Sequence, residues 1–184
     1  MTPYSLEDAK AVYDAFTNIE ITANLAGPRT DPYTIDDAIQ FITDHGSKTY
    51  KDTTVHTCWA IRDRSRENAL IGSIDIRPSD MVEGMREHLP DPELKERFAL
   101  FGFWLSPDYR RQGVMSAALR CLVEEVGVKI QGIHHFYGNC FAGNMASRKT
   151  FENVGFKMVK YVKDGGIKWV PYQVRDLEMF ELIK

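Results

Sequence analysis

The feature that most constrains the fold is the segment Phe98–Leu105, which contains no charged residue. Both of its alternating faces are apolar, which is the pattern of a strand in a sheet that is covered on both sides. After a short turn, apolar residues recur every three or four positions from Val114 to Val126, as in an amphipathic helix. Gly127 is predicted to end that helix, because glycine is common at helix C-termini. The sequence therefore predicts a central strand, a turn and a covering helix.

The turn has the composition of an anion site. Arg110, Arg111, Gln112 and Gly113 stand directly before the helix. A helix N-terminus presents unpaired N–H groups, glycine allows close backbone approach, and arginine suits phosphate. The spacing matches neither a Walker loop nor a dinucleotide fingerprint. A phosphate site is one interpretation, and a solvated basic turn before an ordinary helix is the other.

Two motifs together resemble the GNAT superfamily, the Gcn5-related N-acetyltransferases. Arg110-x-x-Gly113-x-Met115-Ser is similar to the family's Arg/Gln-x-x-Gly-x-Gly/Ala, with methionine at the last position. Gly-Phe-Trp-Leu105 resembles the Gly-Tyr-Trp-Leu strand of the branch of ribosomal-protein-alanine N-acetyltransferases (RimJ/RimL type). The segment Asn144–Phe156 is similar to that branch's Asn-x-x-Ser…Glu-Lys-x-Gly-Phe. The resemblance covers nearly the whole chain and is specific for the superfamily, not for the substrate.

The resemblance implies acetyl-CoA as co-substrate, with its pyrophosphate on the turn and its thioester at the end of the central strand. In the family, two adjacent strands splay apart and the pantetheine arm enters the gap. The implied cofactor contacts are Trp104, Leu105, Ser106, Arg110, Arg111, Gln112, Gly113, Val114, Met115, Ser116, Asn139, Asn144, Ser147 and Phe151.

The catalytic acid and base are less well defined by the sequence. Many relatives use a tyrosine as the acid where this chain has Phe151, so the resemblance implies Ser147 as its replacement. Ser147 is also interpretable as an ordinary residue of a helix capped by Asn144. For the base, Asp75 is placed at a strand end bordering the cleft, and His134 and His135 are alternatives. No group of residues has metal-ligand spacing, so no metal is expected.

The fold class implied is α/β (α+β), a single N-acetyltransferase domain over residues 1–184. Its sheet would be mixed, mostly antiparallel and splayed, with helices on its sides. Helices are predicted from Ser5, from Thr34 and over 145–154, and further strands over 57–61, 70–76 and 133–139. A hairpin over 156–183 would turn at Asp164-Gly165, and the insertion 77–97 would carry a short helix at 83–89. The family's first strand is expected to be missing, which would leave an open sheet edge.

Composition limits the partners. The net charge is −3, which gives no overall attraction for nucleic acid or an anionic membrane, and no apolar run reaches the ~18–20 residues of a membrane span. Three cysteines without metal or redox spacing suggest free thiols in a cytoplasmic protein. The protein is expected to be a monomer or a homodimer. Because the cysteines fall outside both motifs, a covalent acetyl-cysteine step is not expected.

The sequence therefore predicts an acetyl-CoA-dependent N-acetyltransferase that transfers acetyl directly to a primary amine, either a protein N-terminus or a small molecule. The alternatives are a CoA-binding regulatory or scaffold domain that has lost catalysis, and an interaction module that binds no acyl-CoA.

Overall fold

The computed structural model describes residues 1–26, 30–50, 53–81, 89–91, 94 and 96–184. Nearly all of the short helix predicted at 83–89 lies outside these residues. Within them, no helix is long and apolar enough to cross a membrane.

The described residues form one six-stranded sheet in the order β1-β2-β3-β4-β6-β5. Neighbouring strands are antiparallel except β3 and β4, which are parallel. This mixed, mostly antiparallel sheet with helices on both faces confirms the predicted fold class. The strands are β1 Cys58–Asp63, β2 Ala69–Pro78, β3 Phe98–Leu105, β4 His135–Phe141, β5 Lys157–Trp169 and β6 Tyr172–Ile183.

The helices divide between the two faces of the sheet. Apolar residues of α4 and α5 pack on one face against β2, β3 and β4, while those of α1 and α3 pack on the other against β1. Two helices end in a π-helical segment, Ile42–Gly46 after α3 and Leu122–Val128 after α4. The α-helices are α1 Ala9–Thr17, α2 Ile19–Thr22, α3 Ile35–Phe41, α4 Val114–Cys121 and α5 Met145–Val154.

Strand β3 occupies the predicted residues, and its environment explains why the polar alternation is missing. Ala99 and Phe101 lie in the cluster beneath α4 and α5. Phe98 and Leu100 lie in a second cluster on the other face, with Tyr137. Each face of the strand is therefore buried by a different set of side chains.

The parallel pairing of β3 with β4 is short. It runs from Phe98↔His135 to Phe101↔Gly138, although β3 continues to Leu105 and β4 to Phe141. The two strands therefore separate at Gly102, as the splayed sheet of the family requires. The gap between them fixes the position of the site described below.

Two predicted ends of elements are wrong, both at glycines. The helix does not stop at Gly127, because the π-helical segment runs through it. A Cβ at Gly127 would lie 2.5 Å from the Phe136 ring, so this glycine allows close packing and does not cap the helix. Likewise Asp164-Gly165 is not a turn: strand β5 continues through it with a register shift, and the chain reverses at Val170-Pro171.

Residues 1–26 contain no strand, as predicted, but the expected open sheet edge needs a correction. Thr2 forms an antiparallel bridge with Ala60, through backbone hydrogen bonds of 3.0 and 2.9 Å. Arg62 fixes the segment further, because its two terminal nitrogens donate to the two carboxylate oxygens of Asp8 at 2.8 and 2.7 Å. Burial disfavours the charged form of Asp8, but Arg62 and the Ser5 N–H outweigh it and lower the pKa of Asp8. The edge of the sheet is thus covered by a single bridge.

The packing beneath α5 yields a stability prediction. A side chain at Gly138 would overlap the ring of Phe151, which stacks on Phe180 with ring centres 5.1 Å apart. Gly138→Ala should therefore lower the free energy of unfolding by ~1–3 kcal/mol, because overpacking forces the core to shift. Urea denaturation measures this, and Gly138→Ala/Phe151→Leu should recover part of the loss. A Gly138→Ala protein as stable as the wild type would contradict this packing.

Candidate active site

A cleft of about 680 Å³ lies at the end of β3, beyond its pairing with β4. Its walls are the end of β3, the turn 107–113 with the start of α4, the first part of α5, and α2 with the residues after it. Most residues predicted to contact the cofactor line this cleft: Trp104, Leu105, Arg110, Arg111, Gly113, Val114, Met115, Ser116, Asn144 and Ser147.

The start of α4 presents free amides to the cleft. Gly113, at the N-cap, has a φ of 78°, a left-handed conformation that glycine adopts without strain. The Ala117 N–H donates to the Gly113 carbonyl at 2.9 Å, which is the first bond of the helix. The amides of Val114, Met115 and Ser116 precede that bond and have no acceptor within the helix. They fit a phosphate group, which needs several N–H donors at the positive end of a helix.

The basic residues of the turn have different roles. The Arg110 guanidinium donates to the Glu20 carbonyl at 2.9 Å and lies 3.8 Å from the Glu20 carboxylate, so it joins the turn to α2. Arg111 has a φ of 62° and lines the cleft. Gln112 donates to the Asp108 carbonyl at 2.8 Å and is not part of the described lining. Arg110 and Arg111 therefore bring positive charge to the cleft, and the charge of Arg110 is partly paired with Glu20 of α2.

The end of β3 distinguishes two predicted backbone contacts. The Ser106 N–H donates to the Ile71 carbonyl at 2.8 Å, so it is already used within the sheet. Successive N–H groups of a strand point to opposite edges, so the Leu105 N–H is directed toward the gap beside β4. Of the two, Leu105 is the better placed to donate to a thioester oxygen.

The start of α5 holds Ser147 in the cleft. Asn144 caps the helix by accepting the Ser147 N–H at 3.3 Å, as predicted, and Gly155 ends the helix in a left-handed conformation. The Asn144 side-chain nitrogen also donates to the Ser147 Oγ at 2.9 Å. Because that oxygen accepts from Asn144, its own proton is free to be donated elsewhere.

Four predicted cofactor contacts lie outside the described lining: Ser106 and Gln112, described above, and Asn139 and Phe151. Phe151 is only 1% exposed and packs among Phe103, Phe156 and Phe180 in the core. Asn139 follows Gly138, which faces Phe151, so strand alternation directs Asn139 to the opposite face of the sheet. The resemblance placed Asn139 and Phe151 near the cofactor, and the structure separates them from this cleft.

The prediction placed Asp75 at a strand end. In the structure Asp75 lies within β2, opposite Gly102 of β3. Its Oδ1 accepts the Gly102 N–H at 3.1 Å and lies 2.8 Å from the Nε of Arg77. Burial raises the pKa of this carboxyl group, while Arg77 and the Gly102 N–H oppose the rise. Because Gly102 is the first residue of β3 beyond its pairing with β4, Asp75 lies beside the gap, outside the lining of the cleft.

The other titratable candidates lie elsewhere. His135 pairs with Glu96 at 2.6 Å, and the ring of His134 contacts the Lys184 carbonyl at 3.1 Å. Burial raises the pKa values of Cys58 and Cys140 to about 12. None of the cysteines, all of which are described, lines the cleft. Among the described residues, no group of three or more His, Cys, Asp or Glu is arranged to hold a metal.

Sequence reasoning missed the wall formed by α2. Glu20, Ile21, Asn24 and Leu25 line the cleft opposite α5. The available signal was Asn18, whose side chain accepts the Glu20 N–H at 2.8 Å and so begins the helix.

A sheet that opens between two parallel strands, with the N-terminus of a helix at the opening, is the arrangement expected from the acetyltransferase resemblance. A sequence model of the acetyltransferase (GNAT) domain matches residues 1–157, and the chain belongs to this family. GNAT domains take acetyl-CoA as co-substrate, which confirms the co-substrate and the resemblance predicted from the sequence.

Solved structures have the same fold at low sequence identity. The acetyltransferase (GNAT family) from Bacillus anthracis has a TM-score of 0.71 at 17% identity, over 98% of this chain and 92% of that one. The microcin C7 self-immunity acetyltransferase MccE, in complex with acetyl-CoA and AMP, has a TM-score of 0.71 at 16% identity, over 100% of this chain and 91% of that one. The ribosomal-protein-alanine N-acetyltransferase from Brucella melitensis has a TM-score of 0.67 at 17% identity, over 99% of this chain and 98% of that one. No curated protein matches the sequence.

Proposed function

We propose that this protein transfers an acetyl group from acetyl-CoA to a primary amine, directly and within a ternary complex. One observation carries the proposal: the free amides of α4, the Leu105 end of β3 and the Ser147 hydroxyl all border one cleft. These are the groups that acetyl transfer needs to bind the phosphates, to stabilise an oxyanion and to protonate the leaving thiolate. The solved complex of MccE with acetyl-CoA supports the same use of this fold.

Each group has a defined task in this proposal. The amides of Val114, Met115 and Ser116 hold the pyrophosphate, and the Leu105 N–H donates to the thioester oxygen as negative charge develops on it. The Ser147 hydroxyl gives its proton to the thiolate of CoA. Direct transfer is supported by the lining of the cleft, because no cysteine is there to form an acetyl-thioester intermediate. The free thiols also support a reducing compartment, the cytoplasm.

A CoA-binding regulatory or scaffold domain without catalysis is the alternative function. Its support is Phe151, which is buried and has no hydroxyl where many relatives have a tyrosine acid. In that case the cofactor would bind without turnover.

Release of free thiol from acetyl-CoA, measured against a panel of primary amines and peptide N-termini, separates these functions. We expect thiol release that depends on an amine, together with the acetylated amine as product. Acetyl-CoA binding without turnover on any amine would favour the regulatory domain. Thiol release that is independent of amine would contradict direct transfer.

A further inference from the structure

We propose that the amine acceptor is a zwitterion of the amino-acid class, bound by Asp75 and Arg77 beside the cleft, on the face of the sheet that also carries Trp104. This inference rests on the proposed function and names the substrate class of the same reaction. The ammonium group would pair with the Asp75 carboxylate, and the anionic group beside it would pair with the Arg77 guanidinium.

The place of the two side chains is set by Gly102. A Cβ at Gly102 would lie 2.8 Å from the Oδ2 of Asp75 and 3.1 Å from an Nη nitrogen of Arg77. Both charged groups therefore lie directly over the bare backbone of Gly102, in space that any other residue would fill. Gly102 is a positioning residue, because its missing side chain lets the acid and the base stand together there.

The hydrogen bonds leave one side of each group available. Oδ1 of Asp75 accepts the Gly102 N–H and lies against the Arg77 Nε, while Oδ2 accepts no hydrogen bond from the described residues. Arg77 makes no hydrogen bond or ion pair with any described residue other than Asp75. A carboxylate oxygen accepts from an ammonium group, and the outer edge of a guanidinium binds a carboxylate with two parallel bonds.

The placement of these groups suits a zwitterion. Oδ2 of Asp75 lies 2.8 Å and the Arg77 Nη nitrogen 3.1 Å from one point above Gly102, so both groups border the same space. In an amino acid the ammonium and carboxylate groups are also neighbours, joined through one carbon. The Asp75 and Arg77 side chains are 31% and 47% exposed, so a ligand from solvent reaches both.

The position beside the gap connects the acceptor to the reaction. Gly102 is the first residue of β3 beyond its pairing with β4. Leu105, further along the same strand, lines the cleft. The amine nitrogen attacks the thioester carbon with its lone pair, after its ammonium proton passes to Asp75. The new C–N bond forms, and the C–S bond breaks with its electrons going to sulfur. Sulfur takes a proton from Ser147, which regains one from a water molecule, and that water takes the second N–H proton of the attacking amine. Burial raises the pKa of Asp75, which helps it to accept the proton.

An exposed ion pair on a strand is often only a feature of the surface. Here three further observations accompany it: the glycine beneath the pair, the backbone N–H that fixes one carboxylate oxygen, and the position at the strand separation. Together they assign the pair to the acceptor.

The experiment compares amino acids with the corresponding amino-acid amides and decarboxylated amines, using the full chain and acetyl-CoA. The amide keeps the ammonium group and loses the anionic group. We expect kcat/KM for at least one amino acid to exceed that for its amide by ~10-fold or more, since a charge-assisted contact is lost. Arg77→Gln should remove this preference by raising KM for the amino acid more than KM for the amide, and Arg77→Lys should restore part of it.

Further variants separate binding from folding. Asp75→Asn should lower kcat for every amine, and Gly102→Ala should impair both the preference and the rate by displacing the pair. Arg64→Gln, which removes the same charge from the exposed turn between β1 and β2, is the matched control and should change neither. Amides or peptide N-termini acetylated as well as amino acids, or an unchanged preference in Arg77→Gln, would overturn the inference. Absence of turnover with every amine would instead overturn the proposed function, and this inference with it.

Discussion

Replacing Gly113 with valine should lower the affinity for acetyl-CoA by at least ~10-fold while the protein remains folded. No atom lies within 4 Å of a Cβ built on Gly113, so the cause is not a clash within the chain. The cause is the φ of 78°, which a β-branched residue adopts only with strain of ~1–3 kcal/mol. Relief of that strain would rotate the amides of α4 away from the phosphates. Calorimetric titration with acetyl-CoA measures the change.

The chain offers a matched control for this substitution. Gly132 also has a positive φ, 61°, with nothing within 4 Å of a built Cβ, and it is not part of the described lining of the cleft. Gly132→Val should therefore carry a similar strain and a similar loss of stability, with normal acetyl-CoA affinity. Normal affinity in Gly113→Val as well would show that the turn is not the phosphate site.

Replacing Ser147 with alanine should lower kcat by ~10²–10³-fold with little change in acetyl-CoA affinity, if its hydroxyl protonates the thiolate. The structure makes this a clean test of the side chain. The cap of α5 uses the backbone N–H of Ser147 and the side chain of Asn144, so alanine leaves the cap in place. The melting temperature should therefore change little. Steady-state kinetics and thermal denaturation of the same variant give both quantities.

Asn144→Asp is the companion variant. Aspartate caps helices as well as asparagine does. Its carboxylate, however, would accept the hydroxyl proton of Ser147, which Asn144 leaves available in the wild-type protein. It should lower kcat while the stability stays close to that of the wild type. A kcat of Ser147→Ala within about twofold of the wild type would remove Ser147 from the catalytic role. Weaker acetyl-CoA binding with normal kcat would assign the hydroxyl to the pantetheine arm instead.

The sequence located those parts of the fold that local chemistry determines. Strand β3 has the predicted ends because both of its faces are buried and it contains no charge. Asn144 and Gly155 mark the two ends of α5, because a side-chain cap and a left-handed glycine act within one turn. The turn before α4 was located for the same reason, since its glycine and the helix N-terminus are neighbours in the chain.

The errors arose where tertiary packing outweighs local preference. Gly127 was interpreted as a cap, yet it is needed for contact with Phe136, a residue on a different element. Asp164-Gly165 resembles a hairpin turn, but long pairing with β6 carries the strand through it. The pairing of Asp75 with Gly102 depends on sheet register, which no local pattern encodes. Phe151 was assigned to the cofactor by resemblance, although its apolar ring belongs to the core.

The central claim is that the cleft at the start of α4 binds acetyl-CoA through its pyrophosphate, and a thermal-shift titration of the wild-type protein tests it most directly. A ligand that binds only the folded state raises the melting temperature with concentration. We expect acetyl-CoA and CoA each to raise it, while adenosine and pantetheine, which lack the pyrophosphate, raise it much less. No shift with acetyl-CoA or CoA at about millimolar concentration, where a site with a micromolar Kd would be saturated, would contradict the account.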